Sequence, residues 1–325
     1  VIAAIQLGWD ELSDNVKGAC LVMLSGLLFS TVSLLVKLLG HDLHVLQIAF
    51  FRALFGLLWV LPFAAAQGVG VLRTTRPIGH LLRGAFGMGA MFCSFYAAIH
   101  LPLADATALT FTKPFFVVLF AVMFLGETLR SERLVAIVIG FAGMLILLRP
   151  DLHTDLAAFV ALFGAVFMAL VVIMLAKLGR SEPSVTVMLY FGLISTAIAF
   201  GPMLFVWQWP TWPQFLLLIA IGACGAAAQT AMLRGFAIGE TTVLVNFEYL
   251  QLMHAALFGL IFFGDIPTSW TVIGSLVIVG SAAYVAHSEA AKTRRAKLAA
   301  ISPEAEAAAI GRFRLPALRK YGNDS

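Results

Sequence analysis

The sequence predicts an all-α integral membrane protein with ten transmembrane helices in an inverted five-plus-five repeat. Three observations carry this. Of 325 residues, 61% are hydrophobic and 12% charged, with a mean hydropathy of +0.97, too little polar surface for a soluble fold of this length. Ten apolar runs approach the length that crosses about 30 Å of hydrocarbon, and short segments connect them. A Gly-acid turn leading into a Gly-rich helix occurs twice, at Gly126-Glu127 and at Gly264-Asp265. Lipid leaves no backbone amide unsatisfied, and runs this long and continuous select helices over short alternating strands.

The opening segment, 1–17, is of mixed polarity, and the apolar run after it carries no A-x-A cleavage signal. The first span, 18–39, is therefore expected to be retained. The second, 45–66, holds Arg52 about a third of the way along, and the third, 78–99, places Tyr96 one turn before His100. In the fourth, 103–125, Thr107, Thr110 and Lys113 recur at threes and share a face, while Pro114 removes a donor and kinks the helix beside them. The fifth, 133–149, is short and follows the first Gly-acid turn. Spans six, 154–175, and seven, 184–206, follow, the latter with Tyr190. "WQWPTWP" belongs at the outer interface before span eight, 214–233. In span nine, 241–263, Glu248, Gln251 and His254 again repeat at threes, beside Tyr249; span ten, 269–286, follows the second Gly-acid turn.

With the amino terminus in the cytoplasm, Lys17, Arg73, Arg76, Arg83, Arg130, Arg133, Lys177, Arg180, Arg234 and the basic tail 287–325 fall on the inner side. The outer side receives Arg149, while Lys37, Arg52 and Lys113 fall within spans. This positive-inside pattern predicts that both termini are cytoplasmic. Five spans per half is odd, so equivalent turns lie on opposite faces and the halves, 18–149 and 154–286, are inverted repeats of one another.

Ionisable groups at membrane depth are costly and face the protein interior, which makes Arg52, Lys113 and Glu248 the leading binding candidates. Glu248 can neutralise either cation, hold a cationic substrate group or exchange a proton; His254 is a second candidate for proton coupling. Tyr96, Tyr190, Tyr249 and Gln251 can bracket a planar or cationic solute. Asp105 and Glu240 each precede a threonine-containing stretch and suit helix entries. Cys20, Cys93 and Cys224 sit in apolar stretches without ligand spacing, so neither a metal site nor a disulfide framework is expected. No nucleotide-binding loop, H-E-x-x-H or Gly-x-Ser-x-Gly elbow is present; the sequence implies neither an enzyme nor a cofactor. The net charge of +4 requires no nucleic acid, and the basic tail either meets anionic headgroups or enforces topology.

"HVLQIAFFRALFGLL", "LLRGAFGMGAMFCSFYAAIHLPLADATAL" and the paired "LGETLRSERLVAIVIGFAG" and "FGDIPTSWTVIGSLVIVGS" resemble the EamA-type branch of the drug/metabolite transporter superfamily over roughly residues 16 to 288. "AFFR" and "FEYLQL" look most like bacterial members related to S-adenosylmethionine transporters, with amino-acid exporters as neighbouring relatives. The second turn departs from the usual Glu in having Asp265. The resemblance implies a multi-pass protein of the bacterial inner membrane, with a central cavity between two bundles that Arg52, Tyr96, Lys113, Tyr190 and Glu248 can reach. It implies alternating-access transport of a small charged organic metabolite, amino-acid-like or S-adenosylmethionine-like. The alternative is broad export of apolar or cationic compounds, for which the many Phe and Met residues supply an adaptable surface. Direction, proton coupling and oligomeric state stay open.

Overall fold

The structure is a computed structural model that describes residues 13–125, 131–148, 156–178, 181–239, 244, 247–281 and 283–284. Among them every regular element is helical. We number the helices α1 (Asp14–Leu39), α2 (Val45–Ala66), α3 (Pro77–His100), α4 (Leu103–Thr110), α5 (Lys113–Leu125), α6 (Ser131–Leu148), α7 (Leu156–Leu178), α8 (Ser184–Leu204), α9 (Trp212–Ile238), α10 (Leu250–Phe258) and α11 (Ser269–Ser281). Among the described residues seven helices are long and apolar enough to cross a membrane, counting α4 and α5 together as Leu103–Phe124. Leu250–Phe263 and Ser269–Ser281 are shorter apolar helices. The Gly126-Glu127 turn, Arg149, Glu240 and the basic tail lie outside the described residues.

The fourth span breaks where the lysine and proline stand. Pro114 has no N–H to give to the Thr110 carbonyl, and the chain between α4 and α5 tightens instead. Phe111 N donates to Ala108 O at 3.0 Å and Thr112 N to Leu109 O at 3.1 Å. The Thr110 and Thr112 hydroxyls then donate to the carbonyls of Ala106 and Leu109, so the threonines supply donors at the break. The helical turn Gly259–Phe263 ends at Gly264, whose φ of +68° lies in the left-handed region glycine adopts without strain.

Helices pack chiefly as α1 on α9, α3 on α7, and α2 on both α8 and α9, with α3 also against α8. α10 lies on α1 and α4, while α7 covers α4 and α5. Small residues set these distances. A Cβ at Gly222 of α9 would stand 2.2 Å from the Phe55 Cβ of α2, so the two backbones close to a separation only glycine permits. Large apolar side chains such as Phe163, Leu216 and Ile261 are exposed on the outside, the reverse of a soluble protein and what lipid requires.

Two polar ties mark opposite ends of the bundle. At one, Lys37 in the last turn of α1 reaches Asp265 at 2.8 Å and the Leu101 carbonyl at 2.9 Å, over the Phe263 ring. Gln47 and Gln208 exchange hydrogen bonds near this end. Trp209 and Trp212 are 85% and 80% exposed here, as anchoring rings at an interface would be. At the other end Glu182, ahead of α8, accepts from the Thr74 hydroxyl and from the amide and hydroxyl of Thr75, ahead of α3.

Candidate functional site: a buried two-arginine track

From the Glu182 end a line of polar side chains runs inward between α2, α3, α8 and α9. His80, one turn into α3, is buried, with Nε2 3.9 Å from Glu182 Oε2, within ion-pair range and too long for a hydrogen bond. The Tyr190 ring stacks on the His80 ring at 4.6 Å, and its hydroxyl donates to the Leu72 carbonyl. One turn further along α3, Arg83 is 3% exposed, and its Nε and Nη1 have no hydrogen-bond partner. Its guanidinium lies over the Phe191 ring at 4.1 Å, a cation–π contact that replaces part of the lost hydration. Gly84 and Gly87 permit this approach: a Cβ at either would stand 2.4 Å and 2.6 Å from Ile194 and Phe191 of α8.

Beyond Phe191 a cavity of about 30 Å³ opens, lined by Arg52, Phe191, Ser195, Gln229 and Met188 among others. The Arg52 guanidinium is wedged between two glycines. A Cβ at Gly225 would lie 2.9 Å from Nη2, and one at Gly56 3.3 Å from Nη1. Ser195 Oγ is fully buried without a partner. Neither Arg52 nor Arg83 has an ion-pair partner among the described residues.

The Glu182 cluster carries the first prediction. Burial alone raises a carboxyl, but the donors Thr74 and Thr75 outweigh it, with His80 adding to them, and hold Glu182 below the ordinary carboxylate range. A depressed folded-state value means stability that is present above the unfolded value and lost as pH falls through the folded one. Glu182→Gln is therefore expected to melt below the parent at neutral pH, with the gap narrowing on acidification below the ordinary carboxylate range. A gap independent of pH in thermal melts would sink this account.

The residues expected from the sequence divide into separate groups. Arg52 and Tyr190 belong to the track. Tyr96 stacks on His100 at 4.0 Å, which matches their one-turn spacing, and packs against a second core that includes Phe111. Tyr249 meets Phe111 at 5.3 Å, bringing the start of α10 to the break beside Lys113. The Gln251 backbone carbonyl accepts from Ser30 of α1, and His254 Nδ1 is buried without a hydrogen-bond partner. Lys113 and Glu248 form no ion pair among the described residues, and the pairing considered for Glu248 with Arg52 or Lys113 is not made. For Arg52 the physical reason is helix adjacency: α2 packs chiefly on α8 and α9, whereas α10 packs on α1 and α4.

Sequence reasoning missed His80, Arg83, Glu182, Ser195 and Gln229 as site residues. The spacing of His80, Arg83, Gly84 and Gly87 places them on one helical face and was the available signal. Arg83 had been counted among the inner-side charges.

Comparison with known proteins supplies the family. The EamA-like transporter family matches residues 16–149. The S-adenosylmethionine uptake transporter of Rickettsia prowazekii (strain Madrid E) is 28% identical over 283 residues, covering 86% of this chain and 96% of that protein. The pseudopaline exporter CntI of Pseudomonas aeruginosa (strain UCBPP-PA14) is 30% identical over 266 residues, 81% of this chain and 93% of that one. Solute carrier family 35 member G1 of Homo sapiens is also 30% identical, over 81% of this chain and 77% of its own length. A crystal structure of another protein superposes with a TM-score of 0.58 at 23% identity, over 83% of this chain and 96% of that one, a likeness of fold. With relatives of this identity aligned along nearly their whole length to an apolar helical bundle, the chain belongs to the EamA-like transporter family.

Proposed function

We propose that this transporter moves a small charged organic metabolite of the S-adenosylmethionine or amino-acid type by alternating access. The observation that carries the reading is that Arg52 in α2 and Glu248 ahead of α10 meet no ion-pair partner among the described residues. Such groups cost several kcal/mol in a membrane protein unless a ligand, water or partner compensates them. A molecule bearing both a carboxylate and a cationic centre supplies both counter-charges. Because α2 packs chiefly on α8 and α9 while α10, which follows Glu248, packs on α1 and α4, a solute meeting both is longer than an ion pair, as an S-adenosyl compound is. Two relatives named for carrying metabolites, the S-adenosylmethionine uptake transporter and the pseudopaline exporter, support the same class.

In this reading the chain has ten spans in two inverted five-helix repeats, 18–149 and 154–286, lies in the bacterial inner membrane, and keeps the segment 1–17 and the tail 287–325 in the cytoplasm. Helix packing supports it. Exchange of the halves turns the contact of α1 on α9 into that of α7 on α3, and α2 on α9 into α8 on α3. It likewise turns α10 on α1 into α4 and α5 on α7, and each of these contacts is made. The substrate path takes in Arg52, Tyr96, Lys113, Tyr190, Glu248, Tyr249 and Gln251, with Glu248 and His254 available for proton coupling.

Uptake of labelled S-adenosylmethionine into proteoliposomes tests the proposal. Saturable uptake, competed by the unlabelled solute, is expected; no saturable flux of any S-adenosyl or amino-acid-like solute would remove the idea. Glu248→Gln is expected to lower uptake about tenfold, the loss of one charge-assisted contact, with folded yield unchanged. Equal losses of uptake and yield would make Glu248 a structural residue.

A further inference from the structure

We propose that the cavity beside Arg52 is a carboxylate subsite, in which Arg52, Ser195 and Gln229 hold the two oxygens while Arg83 adds a second positive charge from behind Phe191. This rests on the reading of the protein as a carrier of charged metabolites and assigns one end of such a solute to one place.

Each polar side chain that lines the space, Arg52, Ser195 and Gln229, carries a hydrogen-bond donor. Arg52 presents a guanidinium fork, Ser195 Oγ is wholly buried with no partner, and Gln229 contributes an amide. The same space repels a cation, since the Arg52 guanidinium lines it, that of Arg83 lies over the ring of the lining residue Phe191, and neither meets an acid among the described residues. A buried unpaired cation is expensive, and removing one partner from such a pair is the costly step. Here no acidic partner stands among the described residues, which is what a site for a transient anion requires.

Size narrows the class. About 30 Å³ holds a pair of waters or a group of the bulk of one carboxylate. A planar carboxylate also matches the fork geometry of arginine in a way a point anion does not. Val60 and Met188 give the space apolar walls, which lower the local polarity and so strengthen the pairing. Gly225 and Gly56 hold the fork in place from both sides.

The test uses the full chain purified in detergent, with S-adenosylmethionine and its decarboxylated analogue as probes. The parent is expected to gain at least twice the melting-temperature shift from the carboxylated probe. Gln229→Glu places a carboxylate beside Arg52 without changing side-chain size. It is expected to melt several degrees above the parent without ligand and to lose the difference between probes. In an Arg83→Gln background the gain from Gln229→Glu should shrink; an undiminished gain would remove Arg83 from the subsite. A Gln229→Glu protein that melts at or below the parent overturns the proposal, whatever the probes do, and so does a parent that both probes stabilise to the same extent. If neither probe shifts the parent while Gln229→Glu is stabilised, the subsite stands and the S-adenosyl reading falls.

Discussion

Gly225→Val is expected to lower transport about a hundredfold while leaving a protein that inserts and purifies, because displacement of a binding group by about 1 Å is enough for a loss of that size. The β-carbon alone would stand 2.9 Å from Arg52 Nη2, 3.0 Å from Nε and 3.1 Å from Cζ. Valine adds two methyl groups to that crowding. Relieving that crowding displaces the guanidinium from its present place in the cavity. Two neighbouring glycines separate this effect from general damage. Gly222→Ala meets the Phe55 Cβ at 2.2 Å with the Phe55 Cα close behind, atoms that cannot rotate away, so folded yield itself should fall. Gly201→Ala, with open space around it, should change neither yield nor uptake. Initial uptake rates in proteoliposomes, normalised to reconstituted protein, decide the matter: a Gly225→Val rate equal to the parent's would show that Arg52 placement does not matter for transport.

What the sequence made legible follows from which forces act along the chain and which act across it. Spans are local: twenty apolar residues need no neighbour to declare themselves, and the limits of α2 and α3 fall within a residue of 45–66 and 78–99. The break beside Pro114 is local too, since a missing N–H and two threonines decide it within a few residues. Adjacency is not local. Opposite charges invited a pairing of Arg52 with Glu248, but the small-residue faces of α8 and α9 draw α2 toward them, and α10 goes to α1 and α4. Arg83 shows the same limit. Six residues into its helix it counted as an inner-side charge, and its burial depends on Gly84 and Gly87 admitting Ile194 and Phe191 from a helix a hundred residues away. Glu182 gave no signal, because its donors come from the segment before α3.

Asp265→Ala is expected to destabilise the folded protein by about 2 kcal/mol, somewhat below the 3–5 kcal/mol typical of broken buried pairs because this one is partly open to solvent. Lys37 is 11% exposed at its side chain and Asp265 25%, so it is the lysine that is left stranded when its partner goes. The Leu101 carbonyl and the Phe263 ring retain it but carry no full charge. The converse change, Lys37→Met, should cost less, since the more exposed carboxylate can turn to water. Asp265→Glu keeps the charge on the turn that Gly264 shapes; it should melt near the parent. The double variant Lys37→Met/Asp265→Ala should then be more stable than the sum of the single losses predicts, by about 1–2 kcal/mol of coupling. In the proposed cycle this tie joins the end of α1, the α3–α4 connection and the segment after α10 on the outer side, so it must open and re-form at each turnover. Asp265→Ala should therefore also expose a cysteine placed at Leu34 to an outer-side thiol reagent faster than in the parent with the same cysteine. Additive losses in the melts, or unchanged labelling, would reduce Lys37 and Asp265 to an ordinary surface pair.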